Sequence, residues 1–187
     1  MLNSPAPLYV RAAQGADLPR LAALRAEAAA WIALEHGSAQ WSCPYDAERG
    51  LALIARGATV VAALAPRGEA VATVTIRPAG SPRLWNAEEL ACPAHYLSSF
   101  TVDRRYAGRG IGARLGDWAA WRAARAGAAV LRVNVWSDNT ALHAYYRAQG
   151  WSWVRTATGS RSGALFERAT ATAKEPEHVR EQGPLRL

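Results

Sequence analysis

Apolar positions along the chain recur with two different periods, and the changes of period mark out its elements. Leu8-Tyr9-Val10-Arg11 is a short apolar run that predicts a first strand. Leu21, Leu24, Ala28, Trp31 and Ile32 share one face of a helix. Asp17 can cap that helix, Pro19 suits its first turn and His36-Gly37 ends it. Asp46 to Arg56 predicts a second helix, with Leu51 and Ile54 inward. Thr59–Leu64 and Ala70–Ile76 are strands around the turn Pro66-Arg67-Gly68-Glu69. Pro78 to Pro93 is polar and rich in Pro and Gly, and predicts a long surface loop. Tyr96–Val102 is β-branched and aromatic, as a buried strand should be. Ile111, Leu115, Trp118 and Ala119 then return to helical spacing. Val130–Trp136 alternates as a strand, Asn139 to Gly150 is a helix, and Trp151–Thr156 and Ala164–Arg168 are final strands. From Thr170 the chain is polar and holds Pro176 and Pro184, which predicts a loose tail. A short extension, 1–7, precedes a domain spanning 8–169. Such alternation calls for a single α/β domain, a mixed twisted sheet with helices on both faces. Strand 96–102 should be central, and 130–136 parallel beside it through the crossover helix 111–126.

The junction after the central strand carries the first chemistry. Gly108, Gly110 and Gly112 lie between strand and helix, with Arg104, Arg105, Arg109 and Arg114 around them. A helix start has unpaired N–H groups and a dipole that favours negative charge. Glycines let an anion approach, and arginines add charge that does not titrate away. Gly108 to Ala113 also fits a dinucleotide fingerprint, but there the first glycine follows its strand almost at once. Here Asp103 to Ala107 intervene, and no GK[ST] follows for a nucleoside-triphosphate loop.

Charge sharpens this picture. The net charge is +7. Residues 1–100 hold eight arginines against eight acids, whereas 101–155 hold nine arginines against Asp103, Asp117 and Asp138. The surplus therefore gathers around the glycine turn, which suits a multiply charged, nucleotide-like ligand. No contiguous basic run and no nucleic-acid motif occurs, so nucleic acid is not an expected partner. No apolar run is long enough for a membrane span, and the first residues lack the form of a signal peptide. Cys43 and Cys92 match no metal spacing and read as reduced thiols of a cytoplasmic protein. No metal is expected.

Two motifs together resemble the GNAT superfamily of N-acetyltransferases. That family carries V-x-x-x-[YH]-[RQ]-G-x-G-[IL]-G at a strand–helix junction, matched by Val102, Tyr106, Gly108, Gly110, Ile111 and Gly112. About thirty residues on it carries N-x-x-A-x-x-[LF]-Y-x-x-x-G-[FY], matched by Asn139, Tyr146, Gly150 and the aromatic Trp151. The resemblance covers roughly Leu8 to Arg168. Ala107 stands where the family prefers Arg or Gln, and Leu142 replaces a small residue. The resemblance implies a GNAT-like acyl-CoA acyltransferase fold with a splayed central strand pair. It implies acetyl-CoA as cofactor and a small-molecule amine as acceptor, attacked directly in a ternary complex; a homodimer is possible. An acetyltransferase acting on a protein amine and a non-catalytic acyl-CoA sensor are the alternatives.

The same resemblance assigns the site. Phe100, Thr101 and Val102 would flank pantetheine, with the Val102 main chain pairing to it. Ala107, Gly108, Arg109, Gly110, Ile111, Gly112, Ala113 and Arg114 would hold the pyrophosphate. Asn139 looks like the pantetheine-amide partner, although it equally reads as a helix N-cap. Tyr146 looks like the general acid, since a phenol stays protonated at neutral pH. Its neighbour Tyr145 turns about 100° away on a helix. No glutamate lies between Glu89 and Glu167, so the base is open: His95, or Glu88 or Glu89 if the loop folds over the site. Trp31, Trp41, Trp85 and Tyr96 are candidates to line the acceptor pocket. An aromatic, weakly charged pocket argues against a polycationic acceptor.

Overall fold

The alternation of apolar residues is satisfied in one sheet. A computed structural model describes residues 6–185. Its strands are β1 (Leu8–Ala12), β2 (Thr59–Ala63), β3 (Ala72–Arg77), β4 (Ala94–Val102), β5 (Val130–Val135), β6 (Ser152–Thr156), β7 (Ala164–Ala169) and β8 (Val179–Glu181). Among the described residues they form one sheet in the order β6-β7-β5-β4-β3-β2-β1-β8. β4 and β5 are central and parallel; β8 is parallel to β1, and the other neighbours are antiparallel.

Helices α1 (Leu18–His36), α2 (Ala47–Ala55), α3 (Ala87–Ala91), α4 (Ile111–Arg125) and α5 (Thr140–Ala148) cover the two faces. Val60, Ala62, Val74, Ile76 and Leu97 pack with Ile111, Leu115 and Trp118 of α4 and with Tyr146 of α5. The intervening Val61 packs on the other face with Leu21 of α1 and Ile54 beyond it. Trp85, Ala94, Tyr96 and Leu165 make a further cluster on that second face. None of these helices is long and apolar enough to cross a membrane.

Three local expectations are corrected. Asp17 does not cap α1; its carboxylate accepts from the Gln14 N–H at 2.7 Å and pairs with Arg11 at 2.7 Å. Segment 78–93 is not simply a surface loop. It contains α3, capped by Asn86, whose side chain accepts from the Glu89 N–H, and it inserts Trp85 into the core. The tail beyond Thr170 is not loose throughout, because β8 pairs with β1 from Leu8↔Val179 to Val10↔Glu181. Glu181 also accepts from the buried Trp118 indole at 2.9 Å, a pairing that composition could not announce. Residues 1–5 of the expected extension, and Arg186 and Leu187, lie outside the described residues.

At the end of β4, Asp103 is fully buried and joins the junction to α1. It accepts from the Arg105 guanidinium at 2.7 Å and from Arg20. Those hydrogen bonds, Arg105's first, hold its carboxyl down to about 2. A depressed carboxyl contributes stability that is present above its unfolded value of about 3.9 and lost as pH falls through about 2. Asp103→Asn removes charge-assisted hydrogen bonds but leaves Arg20 with Glu27 and Glu69 and Arg105 in solvent, and we expect about 2 kcal/mol of lost stability. Thermal melts should show a midpoint lower by roughly 4–8 °C at pH 7 and less acid dependence between about pH 4 and 2.

Candidate active site

The central strands part company half-way along. β4 pairs with β5 from Ala94↔Val130 to Leu97↔Val133 and no further. β5 continues, paired on its other side with β7 as far as Val135↔Ala164. The cause lies in β4. Its register with β3 runs through Thr75↔Ser98 and Thr73↔Thr101, so Ser99 and Phe100 together oppose Val74. This is a β-bulge, which bends its strand and ends regular pairing. Ser99 takes φ 50°, a left-handed conformation that is uncommon for a residue with a Cβ. The edges of Ser98–Val102 and Asn134–Val135 thus face each other without bonding to one another, a slot open at the C-terminal ends of the strands.

The glycine turn stands at the mouth of that slot. Gly108 and Gly110 have φ 76° and 68°, where other residues are strained. The first α4 N–H to bond back is that of Arg114, to the Gly110 carbonyl at 3.0 Å. The N–H groups of Ile111, Gly112 and Ala113 therefore have no partner within the helix. A Cβ at Gly112 would lie 2.6 Å from the Tyr145 hydroxyl and 3.6 Å from Val102 Cγ2, so Tyr145 reaches across the helix start beside Val102. Phe100 packs toward Gly116 on the same face. Thr101 is buried on the opposite face, Ala107 ends the short 3-10 turn Arg104–Tyr106, and Arg109 lies over the Tyr106 ring at 5.2 Å. Arg114 donates to the Ala6 carbonyl at 2.6 Å, and burial lowers its pKa.

Tyr146 sits at the other end of the slot. Its ring stacks on Phe166 at 5.8 Å and meets Trp151 edge-on at 5.3 Å. Phe166 is paired to Val133, and Val133 to Leu97, the last row before β4 and β5 separate. Burial raises the pKa of Tyr146 well above that of a free phenol, so it keeps its proton. Sequence spacing could not show that both tyrosines would reach this region, Tyr146 at the closed end and Tyr145 at the open end. Asn139 takes the capping part: its Oδ1 accepts from the Leu142 N–H at 3.0 Å at the start of α5, and its Nδ2 donates to Gln40 at 3.0 Å. Gln40 is thereby tied to the loop after α1.

On the opposite face, a cavity of about 390 Å³ lies between α1 and the loop 38–45. Ala22, Ala26, Ala29, Ala30 and Ala33 form its α1 wall, opposite Trp41 and Tyr45. Arg25, Trp41 and Tyr45 also border a narrower pocket floored by Thr59, Thr73, Thr75, Ser99 and Thr101. The narrower pocket, about 10 Å³, thus lies between the cavity and the bulge residue Ser99.

Only some expected acceptor residues are brought there. Trp41 lines the cavity. Trp31 instead lies under the Arg104 guanidinium, 3.5 Å from its ring centre. Trp85 is 2% exposed and packs in the core against Tyr96. Tyr96 is sealed as well: a Cβ at Gly80 would meet its ring at 2.5 Å, and its hydroxyl accepts from Arg132 at 3.1 Å. His95 is buried with Nδ1 unpartnered, and burial lowers its pKa. Two residues from Leu97 on a regular strand, it faces α4, away from the cavity. Glu89 is held by the Arg155 fork at 2.7 and 3.1 Å, and Glu88 is exposed in α3. Arg25, Tyr45 and Ser99 were missed. The available signal was Arg25 itself, four residues after Leu21 on the buried side of α1.

A parallel strand pair spread by a bulge, ending in a glycine turn and a bare helix start, defines an acyltransferase-type fold. The chain belongs to the acetyltransferase (GNAT) family, whose profile matches residues 24–151. An uncharacterised N-acetyltransferase of Bacillus subtilis, YesJ, is 32% identical over 90 residues, 46% of this chain and 49% of that protein. The match thus spans about half the length of that relative. Among solved structures, a GNAT acetyltransferase of Listeria monocytogenes superimposes with a TM-score of 0.70 at 22% identity, over 87% of this chain and 94% of the other. The PaiA N-acetyltransferase of Thermoplasma acidophilum, in complex with coenzyme A, gives 0.67 at 16% identity over 87% and 98%.

Proposed function

We propose that this protein transfers an acetyl group from acetyl-CoA to the amine of a small molecule, by direct attack in a ternary complex. One observation carries the reading: the bulge at Ser99–Phe100 borders the slot between β4 and β5 on one side, and on the other a narrow pocket at Ser99 that shares Arg25, Trp41 and Tyr45 with the 390 Å³ cavity. Two substrates entering by these routes meet there. The relative in complex with coenzyme A supports acetyl-CoA as cosubstrate.

Acetyl-CoA supplies an activated thioester. The unpaired N–H groups of Ile111, Gly112 and Ala113, with Arg109 and Arg114, take the pyrophosphate. The Val102 main chain and the Asn139 amide take pantetheine. A β4 N–H freed by the bulge polarises the thioester carbonyl. The amine nitrogen bonds to the carbonyl carbon, the C–S bond breaks, and Tyr146 gives its proton to the leaving sulfur. Proton loss from the amine restores the phenol.

The base expected from sequence has no counterpart at the cavity, where no carboxylate lines the wall among the described residues. The amine therefore reacts as its free base. We expect log kcat/KM to rise with pH up to the acceptor's own pKa, and His95→Ala to follow a parallel curve. A His95→Ala curve depressed only at low pH would return His95 to the mechanism. The reading itself is tested by amine-dependent release of free thiol from acetyl-CoA, with the N-acetyl product identified by mass.

A further inference from the structure

The acceptor cavity holds one charge, and it is positive. Of the residues lining it and the pocket beneath, Arg25 alone is charged. Its Nε is buried without a hydrogen-bond partner. Its guanidinium carbon lies 5.5 Å from the Trp41 ring centre, a contact that holds the side chain in place without neutralising it. Arg20, five residues earlier on α1, is by contrast engaged by Asp103, Glu27 and Glu69.

Neighbouring acids do not serve Arg25. Asp46 caps α2, accepting from the Arg49 N–H at 2.9 Å, and Asp138 accepts from the Ser38 hydroxyl at 3.3 Å. Neither lines the cavity. The buried Nε without an acceptor is costly, and no carboxylate among the described residues pairs with the rest of the guanidinium, which leaves its Nη atoms to a bound anionic oxygen. The remaining walls are alanine methyls and the rings of Trp41 and Tyr45, suited to a compact apolar body.

Resting on the acetyltransferase reading, we propose that the acceptor is a small amino acid-like zwitterion, its carboxylate on Arg25 and its amine at the bulge. Arg25 then determines specificity. A carboxylate forms charge-assisted hydrogen bonds with the fork, while a dication would meet an uncompensated positive charge. The alanine face of α1 leaves room for the side chain. Thr101 and Ser99 border the far end of the route, where the amine arrives.

The test compares matched acceptors differing only in the carboxylate: phenylalanine against phenethylamine, and leucine against isoamylamine. The wild-type protein should favour each amino acid in kcat/KM. Arg25→Met should reduce the ratio of the two kcat/KM values by about 10–100-fold, chiefly through the amino acid's KM, the scale of an unmade charge-assisted hydrogen bond. Arg25→Lys should restore part of it. Calorimetric titration with the free amino acid should show the same loss without turnover. Preference for the decarboxylated amines, or a ratio unmoved by Arg25→Met, overturns the assignment and leaves the acetyltransferase reading standing. Arg25-dependent binding of the amino acid with no thiol release from any acceptor would do the reverse.

Discussion

Gly110→Val should weaken acetyl-CoA binding at least 100-fold while leaving the protein folded. Gly110 sits at φ 68° and ψ 13°, immediately before α4. A β-branched residue is disfavoured there because its side chain crowds the backbone, so the turn must rearrange. Rearrangement moves the N–H groups of Ile111, Gly112 and Ala113 away from the position proposed to take the pyrophosphate. A 100-fold loss is about 2.7 kcal/mol, the scale of one or two charge-assisted hydrogen bonds. Folding should survive because Gly110 is exposed and a Cβ there would meet nothing within 4 Å. Calorimetric titration with acetyl-CoA, beside thermal melts, checks both halves. Unchanged affinity in a folded Gly110→Val protein would remove the turn from the binding site.

Tyr146→Phe should lower turnover about 10²–10⁴-fold and leave acetyl-CoA affinity close to wild type, because a positioned proton donor is lost and the ring is kept. The burial that raises the Tyr146 pKa keeps its proton in place at neutral pH. Tyr145→Phe separates the neighbours. Its hydroxyl lies over Gly112 at the open end of the slot, so its loss should act on acetyl-CoA affinity and not on the transfer step. Stopped-flow or steady-state thiol release, with each variant saturated in acetyl-CoA, distinguishes them. Wild-type turnover in Tyr146→Phe would make Tyr146 a packing residue.

The glycine turn and the strand and helix it joins were legible because they rest on local chemistry. Gly108, Gly110 and Gly112 announce a helix start with exposed N–H groups, and the alternation of Tyr96–Val102 announces its strand. The 3.6-residue pattern of α4 and its position between β4 and β5 suffice for the parallel crossover. The opposite face of the sheet depended on contacts between distant segments. Trp85 could have lined a pocket, but α3 folds it against Tyr96 and under Arg132. His95 reads as a candidate base in one dimension, yet strand parity turns it to the α4 face. Asp17 resembles an N-cap, and the pull of Arg11 across the β1–α1 turn redirects it. The edge strand β8 escaped notice for the same reason: three residues among prolines carry no periodicity, and their partner lies at the other end of the chain.

Acetyl-CoA is expected to bind where β4 and β5 part. A crystal structure of the complex with acetyl-CoA tests this directly. It should show pantetheine between the two strands, bonded to the Val102 main chain, with the pyrophosphate on the N–H groups of Ile111 to Ala113. The thioester should lie at the Ser99–Phe100 bulge, within reach of Tyr146. Acetyl-CoA bound elsewhere, with β4 and β5 hydrogen-bonded to each other beyond Leu97, would contradict it.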